Sequence, residues 1–405
     1  SPGTPAWNGT SAVVSRGLRL IEAGALDQGT VEMLASRLGL GPRHLSRLFQ
    51  RHLGASPVAV AQTRRLHFAK KLIDETQLPM SEIALAAGFG SVRRFNAVFT
   101  KTYQRNPSSL RRQQALSSTN HAGIEIKLSY RPPYDWPLML RFLSMRAITG
   151  VEAIMNDRYY RSIQCGEQAG WLSVQAGKGN ELVLSVQLGD SQQLAAVIAR
   201  IRAQFDLGAE PDVINQHLST DSILKPLIRR HPGLRVPGAW DPFELTVRAI
   251  LGQQISVTAA STLAERIVKH YGEVLTESPA DMPLSLFPRP ARLAEADFSG
   301  IGLTQQRAST LRRFASAVAS GDLDIDSQTE PERLKEKLLE IQGIGPWTVE
   351  YVAMRALAEP DAFPNTDLGL LRATGLDAKA LHKRAQQWRP WRAYAAMHLW
   401  NADSK

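Results

Sequence analysis

The residues best placed to do chemistry lie between positions 338 and 373. The stretch LLEIQGIGPWTVEYVAMRAL (338–357) breaks a helical pattern at Gly343-Ile344-Gly345 and restarts it near Pro346. Glycines there let the backbone approach a phosphate closely, and the amides freed at the new helix N-terminus bind its negative charge. Trp347 follows at once and Tyr351 stands four residues on, so both rings share one helix face. A large aromatic directly after such a break is hard to bury in a simple bundle. Next comes AFPNTDLGLLRA, where Pro364 and Thr366 mark a loop and Asp367 opens another helix. A carboxylate in that place caps the helix, worth about 1 kcal/mol, and a fixed carboxylate can also stabilise a cation developing beside it. Asp361 is the competing carboxylate and is expected to be solvated in the connecting loop.

A second charged array lies near the N-terminus. The net charge is +10, and residues 1–120 carry all of the excess: 16 Lys and Arg against 6 Asp and Glu, with 32 of each sign in the remainder. That is the electrostatic footprint of a polyanion binder. TVEMLASRLGL–GP–RHLSRLFQRHLG predicts two helices around a tight break at Gly41-Pro42. The second helix carries Arg43, His44, Arg47 and Arg51; the arginines at i, i+4 and i+8 share a face that could enter a major groove. A second unit of the same layout, MSEIALAAGFGSVRRFNAVFTKTYQRNPSSLRR, offers Arg93, Arg94, Asn96 and Lys101. A solvated basic face on a helical bundle is the bland alternative for both.

These residues need positioning elements. At about 100–200 residues per domain, 405 residues predict two to four domains. Residues 12–115 read as helices with short breaks, followed by a polar linker SSTNHAG (117–123). IEIKLSY, DRYYRSIQ, GWLSVQA and ELVLSVQL then alternate with period two and predict strands, with a helix over 191–205. From Asp241 onward the pattern is helical again. The expected architecture is multidomain: an all-α double helix-turn-helix (1–118), an α+β subdomain with a small antiparallel sheet (119–230) and an all-α core (231–405). No run of about 18 apolar residues predicts a membrane span. No secretory signal is evident. The single cysteine, Cys165, excludes an internal disulfide and a thiolate zinc cluster, and fits a reducing, cytoplasmic setting.

Ile83, Ala84, Ala87, Gly88, Phe89, Ser91, Phe95, Phe99, Pro107 and Arg111 match the signature of AraC-type DNA-binding modules, over about residues 12–113. This part resembles the version found in Ada-type adaptive-response regulators. The resemblance implies two helix-turn-helix units about one DNA turn apart on a connecting helix near 57–75. Such regulators carry an upstream Cys-rich zinc domain, and the start at Ser1 is expected to reflect its removal. The context of Cys165, QCGEQ, lacks a Pro-Cys-His-Arg nucleophile, so alkyl transfer to this chain is not expected; Cys165 is expected to be a partly buried strand residue.

Residues 124–405 resemble AlkA-type 3-methyladenine DNA glycosylases of the helix-hairpin-helix superfamily. RPPYDWPLMLRFLSMRA, LRVPGAWDPFELTVRAILGQQISVTAASTLAERI and QQWRPWRAYAAMHLW carry the likeness, besides the hairpin and Asp367. The resemblance implies a monofunctional glycosylase that flips an alkylated purine out of double-stranded DNA. Asp367 would be the catalytic carboxylate, and Trp347, Tyr351, Trp400 and Phe142 would line the base pocket. Gly343, Ile344 and Gly345 would hold the DNA backbone. Bifunctional relatives carry a lysine two residues after the second hairpin glycine; Trp347 stands there, so no lyase activity is expected. The DNA wedge falls on Gln254, with Gln253 beside it, where an apolar side chain is usual. Leu368 replaces an aromatic after the catalytic position. Both departures bear on substrate range. No cofactor is required, although carbonyls of Leu339, Ile341 and Ile344 could hold Na+ or K+ in the hairpin. A monomer is expected, with an abasic-site endonuclease acting downstream. The competing expectation is a transcription regulator of the alkylation response with a vestigial glycosylase half.

Overall fold

The computed structural model describes residues 10–22, 24–27, 29–111, 123–279, 282–325 and 331–403. The expected linker at 117–123 lies outside them, apart from Gly123. Packing separates the chain into two compact units. One is Ser1–Lys127 with Cys165–Gln168 and Val183–Arg200; the other is Leu128–Gln164 with Ala169–Leu182 and Ile201–Lys405. The expected border at 230 therefore falls inside the second unit, and residues 119–230 are divided between the two.

The first unit opens with helices α1 (Thr10–Glu22), α2 (Val31–Arg37), α3 (Pro42–Leu53), α4 (Pro57–Glu75), α5 (Met80–Ala86), α6 (Val92–Tyr103) and α7 (Pro107–Leu110). Helices α2 and α3 form the first helix-turn-helix. Leu34, Ala35, Leu45, Leu48 and Phe49 bury their apolar stripe, which turns the arginine face of α3 outward. Helices α5 and α6 form the second. Ser91 caps α6 through the Arg94 amide (3.2 Å), and Phe89, Phe95, Phe99 and Tyr103 make a chain of ring contacts beneath it. Gly88 takes φ +82° in the second turn, where a Cβ would come within 2.5 Å of Asp27 Cγ. Asp27 in turn accepts hydrogen bonds from Arg64 (2.7 and 2.9 Å) and Arg65 (2.9 Å) of α4. One carboxylate thus ties the loop after α1, the connecting helix and the second turn together.

Five strands form one antiparallel sheet in the order β1 (Ile124–Ser129), β5 (Glu181–Gln187), β4 (Gln168–Ala176), β3 (Arg158–Cys165), β2 (Glu152–Met155). Four were expected; β2 is too short to show alternation and pairs Glu152 with Arg161 of β3. Cys165 ends β3 and is buried. Helix α8 (Trp136–Ser144) lies between β1 and β2 in sequence, and α9 (Leu194–Gln204) follows β5.

The helical core of the second unit runs α10 (Pro211–Leu218), α11 (Leu224–Arg230), α12 (Pro242–Leu251), α13 (Val257–Tyr271), α14 (Pro290–Ala294), α15 (Gln305–Ala319), α16 (Pro331–Leu339), α17 (Pro346–Ala356), α18 (Leu368–Thr374), α19 (Ala378–Ala385) and α20 (Arg392–Asp403). A two-residue pairing of β6 (Glu273–Val274) with β7 (Ser285–Leu286) interrupts it, which the helical reading missed. Asp241, Ser256, Thr304, Asp367 and Asp377 cap five of these helices by accepting the N3 amide. Val247 and Ile250 of α12, Leu311 and Phe314 of α15, Val352 and Met354 of α17 and Leu399 of α20 share one buried core. That core clamps α17 and α20, the two helices that present Trp347 and Trp400.

Candidate active site

Asp367 is the convergence point. Its backbone turns out of the loop as the cap of α18, with Oδ1 accepting the Leu370 amide at 3.1 Å. Trp400 Nε1 donates to the same oxygen at 2.7 Å, and Trp347 Nε1 donates to Oδ2 at 2.8 Å. The same carboxylate thus caps α18 and receives both indoles. Two indole N–H groups from different helices fix the plane of one carboxylate, and charge-assisted bonds of this kind are the strong ones. Asp361 is not the solvated carboxylate expected from its loop. Arg392 binds it through two bonds (2.7 and 3.0 Å), Arg389 approaches to 2.8 Å, and its side chain is 15% exposed. It is a brace between the loop and α20.

The rings assemble around the carboxylate. Trp347 and Tyr351 stack nearly parallel, 5.3 Å apart at 11°, and Tyr351 lies 6.2 Å from Trp400. Phe142 joins Trp400, Arg146, Pro237 and Met145 in lining an adjacent cleft. Its ring, however, is shared by two guanidiniums: Arg146 at 3.8 Å and Arg355 at 4.8 Å from the centroid. The sequence reading passed over both arginines. The signal was there, since Arg355 follows Tyr351 by four residues and Arg146 follows Phe142 by four.

Arg355 is buried. It donates to the Tyr351 hydroxyl at 2.6 Å, to the Gly238 carbonyl at 3.1 Å and to the Pro237 carbonyl. Burial pushes the Tyr351 phenol up, but Arg355, Arg146 and Arg248 outweigh it, so the phenol lies below its ordinary range. Arg146 donates to the Phe142 carbonyl at 3.4 Å. Behind this wall Arg161 and Arg248 pair with Glu152 and Glu244, with closest contacts of 2.7 Å (Arg161–Glu244) and 2.8 Å (Arg248–Glu152). Burial opposes ionisation of Glu152, yet Arg248 and Arg161 win and lower it to about 2.

The hairpin joins α16 to α17. Gly343 has φ +100°, and a Cβ there would meet Thr310 Oγ1 at 2.0 Å. Gly345 caps α17 with no side-chain bond, and Pro346 takes the first helical position, so the terminal amides stay open to an anion. Ile344 contributes differently from its neighbours: its side chain is 5% exposed and anchors the hairpin in the core. The wedge residues also separate. Gln254 is exposed at the tip between α12 and α13, at φ +58°. Gln253 turns inward, donating to the Gly343 carbonyl (2.9 Å) and Thr348 Oγ1 (3.0 Å), while Arg307 donates to its carbonyl. It fastens the loop of Gln254 to the hairpin. Leu368 is 71% exposed. In the first unit Arg43, His44, Arg47 and Arg51 on α3, and Arg93, Arg94 and Asn96 on α6, are all exposed. Among the described residues no helix is long and apolar enough to cross a membrane, and no cluster of His, Cys, Asp or Glu could hold a metal ion.

A helical core with a glycine hairpin, a capped carboxylate and an aromatic cleft defines a helix-hairpin-helix DNA glycosylase. The family model for the HhH-GPD superfamily base excision DNA repair protein matches residues 247–385, that for the AlkA N-terminal domain residues 125–241, and a helix-turn-helix domain residues 34–113. A probable bifunctional transcriptional activator/DNA repair enzyme AlkA of Mycobacterium tuberculosis is 37% identical over 99% of this chain and 82% of its own length. DNA-3-methyladenine glycosylase 2 of Escherichia coli is 35% identical over 68% of this chain and 96% of its own. The 3-methyladenine DNA glycosylase from Archaeoglobus fulgidus shares the fold, with a TM-score of 0.61 at 22% identity over 68% of this chain and 97% of that one. The chain belongs to the AlkA family of 3-methyladenine DNA glycosylases, in the form fused to an AraC-type helix-turn-helix module.

Proposed function

We propose that the second unit excises cationic alkylpurines of the 3-methyladenine and 7-methylguanine type by flipping them from duplex DNA, with Asp367 as the catalytic carboxylate. The observation that carries this reading is the double indole clamp on Asp367. An alkylated purine is already a good leaving group, so little acid catalysis is needed. Positive charge develops at C1′ as the N-glycosidic bond breaks, and a carboxylate held beforehand in one orientation stabilises it without reorganising. Water then captures the sugar, leaving an abasic site for a downstream endonuclease. The flipped base enters between Trp347, Tyr351 and Trp400, whose faces suit a cation. Gln254 fills the gap it leaves, and the open amides of the Gly343–Gly345 hairpin take a phosphate.

Trp347 stands where bifunctional relatives would carry the lyase amine, so the enzyme is monofunctional; a monomer is the assembly proposed for it. The Leu339, Ile341 and Ile344 carbonyls would hold a monovalent cation. Ile341 accepts the Ile344 amide at 3.0 Å, which leaves a lone pair of that oxygen for an ion. Such an ion would add positive charge beside the phosphate. In the first unit Arg43, His44, Arg47, Arg51, Arg93, Arg94 and Asn96 contact DNA. Release of free 3-methyladenine and 7-methylguanine from methylated duplex DNA tests the excision. Borohydride trapping tests the absence of lyase chemistry: a covalent protein–DNA complex would contradict it.

A further inference from the structure

We propose that Arg307 is a positioning residue for base flipping: it holds Gln254 in the backbone conformation from which that side chain fills the gap left by the flipped base. This rests on the glycosylase reading above, in which Gln254 has that role.

Gln254 stands at φ +58°, the left-handed region, where a Cβ crowds the following carbonyl. Its side chain is exposed, so no packing of its own keeps it there. The conformation must be held from outside. The angle φ of Gln254 sets how the peptide before it is turned, and that peptide carries the Gln253 carbonyl. Arg307 Nη2 donates to this oxygen at 2.7 Å, a charge-assisted bond. From the other side, the Gln253 amide donates to the Gly343 carbonyl at 2.9 Å and to Thr348 Oγ1 at 3.0 Å. Residue 253 therefore cannot turn along with its peptide. Rotating Gln254 back to a negative φ breaks the Arg307 bond.

Arg307 is itself well placed to hold something. It lies in the first turn of α15, whose cap Thr304 accepts the Arg307 amide at 3.3 Å. Thr310, three residues on and on the same face, donates through Oγ1 to the Gln342 carbonyl at 3.2 Å. Arg266 of α13 donates to the Ile301 carbonyl at 3.0 Å, which ties the turn before α15 to the helix after Gln254. The hairpin, Gln253, Arg307 and Thr310 thus close a ring of bonds around the loop that presents Gln254. Flipping pays for unstacking a base. A side chain already held in its filling conformation adds no further ordering cost at that moment. Arg307 contributes when a partner strand would otherwise close the gap, and not to breaking the N-glycosidic bond.

The test is a double-mutant cycle in the full chain, read as kcat/KM for release of 7-methylguanine from methylated duplex DNA. Arg307→Ala is expected to lower it about tenfold, the worth of one charge-assisted hydrogen bond. In a Gln254→Ala background the same substitution should change it by no more than about twofold, the limit of independent sites. Release from methylated single-stranded DNA, which has no partner strand, should likewise stay within about twofold in Arg307→Ala. Arg307→Lys keeps a charged donor and should recover most of the duplex rate, which a residue needed only for packing would not show. Equal losses in the two backgrounds would mean that Arg307 acts on DNA or on the fold directly, and would overturn the proposal. So would an equal loss on single-stranded DNA, or no loss on the duplex. Release of no base by the wild-type protein would instead overturn the glycosylase reading itself.

Discussion

Replacing Asp367 by Asn separates the charge of the carboxylate from its shape. Oδ1 carries two of the three bonds, from Trp400 and Leu370, so the oxygen of the substituted amide settles there. The new NH2 then faces Trp347 Nε1, donor against donor, where a bond of 2.8 Å stood. Three effects can be scaled. Loss of the charge at the α18 N-terminus costs about 0.3–1 kcal/mol. An indole N–H left without its partner costs about 1–3 kcal/mol if no water reaches it. Loss of preorganised stabilisation at C1′ costs catalysis about 2.7–4 kcal/mol, or a hundred- to thousandfold in kcat. The stability loss, about 1.3–4 kcal/mol in total, overlaps the catalytic one in size, so the two are measured separately. The assay is single-turnover release of 7-methylguanine, alongside chemical denaturation and affinity for an abasic-site duplex. The variant should fold, bind within severalfold of wild type and release base at least a hundredfold more slowly. A variant that keeps more than a tenth of the wild-type rate would refute the assignment of Asp367. So would a rate loss matched by an equal loss of folded protein.

Four further outcomes follow. Gly343→Ala forces a Cβ to 2.0 Å from Thr310 Oγ1 at φ +100°; it should cost about 1–3 kcal/mol of stability and weaken binding to duplex DNA. Adding Thr310→Ala should restore part of both, and calorimetry with fluorescence anisotropy would show whether it does. Asp27→Asn weakens the pairs with Arg64 and Arg65, whose side chains are 15% and 13% exposed. It should lower affinity for DNA spanning both helix-turn-helix units more than affinity for a half-length site, and an equal drop on both would show that the brace does not couple the units. Exchanging K+ for a bulky organic cation at constant ionic strength should weaken DNA binding by the hairpin, and unchanged affinity would remove the cation from the account. Acid stability should depend on two buried groups of opposite sign. Burial and the neighbouring His231 lower His398 to about 3, so its contribution is full above about 6.5 and is lost as pH falls toward 3. Burial raises Asp206 to about 6, so its contribution grows as pH falls from 6 to about 4. Wild-type stability should change little between pH 6 and 4.5, whereas Asp206→Asn should lose on the order of 1.4 kcal/mol per pH unit there. A flat profile for that variant in urea titrations would refute the pairing.

What the sequence disclosed and what it withheld divide along a physical line. Asp367, Trp347 and Gly343 were legible because each serves a local rule: a helix cap, an aromatic after a break, a backbone that only glycine adopts. Strands β1, β3, β4 and β5 were legible through period-two alternation, while β2 is four residues long and β6 and β7 two each, too short for a period to register. The misreadings involve contacts between residues far apart in the chain. Asp361 looked solvated because its partner Arg392 is 31 residues away. The inward bond of Gln253 went unread because the carbonyl it binds, Gly343, is 90 residues away. No local pattern marks either bond.

Arg355 falls between these cases, and that explains how the pocket is built. Its spacing from Tyr351 is local and readable, but its effect comes from the Pro237 and Gly238 carbonyls, 118 and 117 residues distant. A lysine at the same position could reach the phenol. It could not also grip two carbonyls in fixed directions, because its ammonium lacks the planar fork. The loop at 237–238 and the core of α17 must both be folded before Arg355 can hold the Tyr351 hydroxyl. The placement of that hydroxyl is therefore a tertiary property: changes at Pro237 or Gly238 should loosen Arg355 and, through it, the tyrosine.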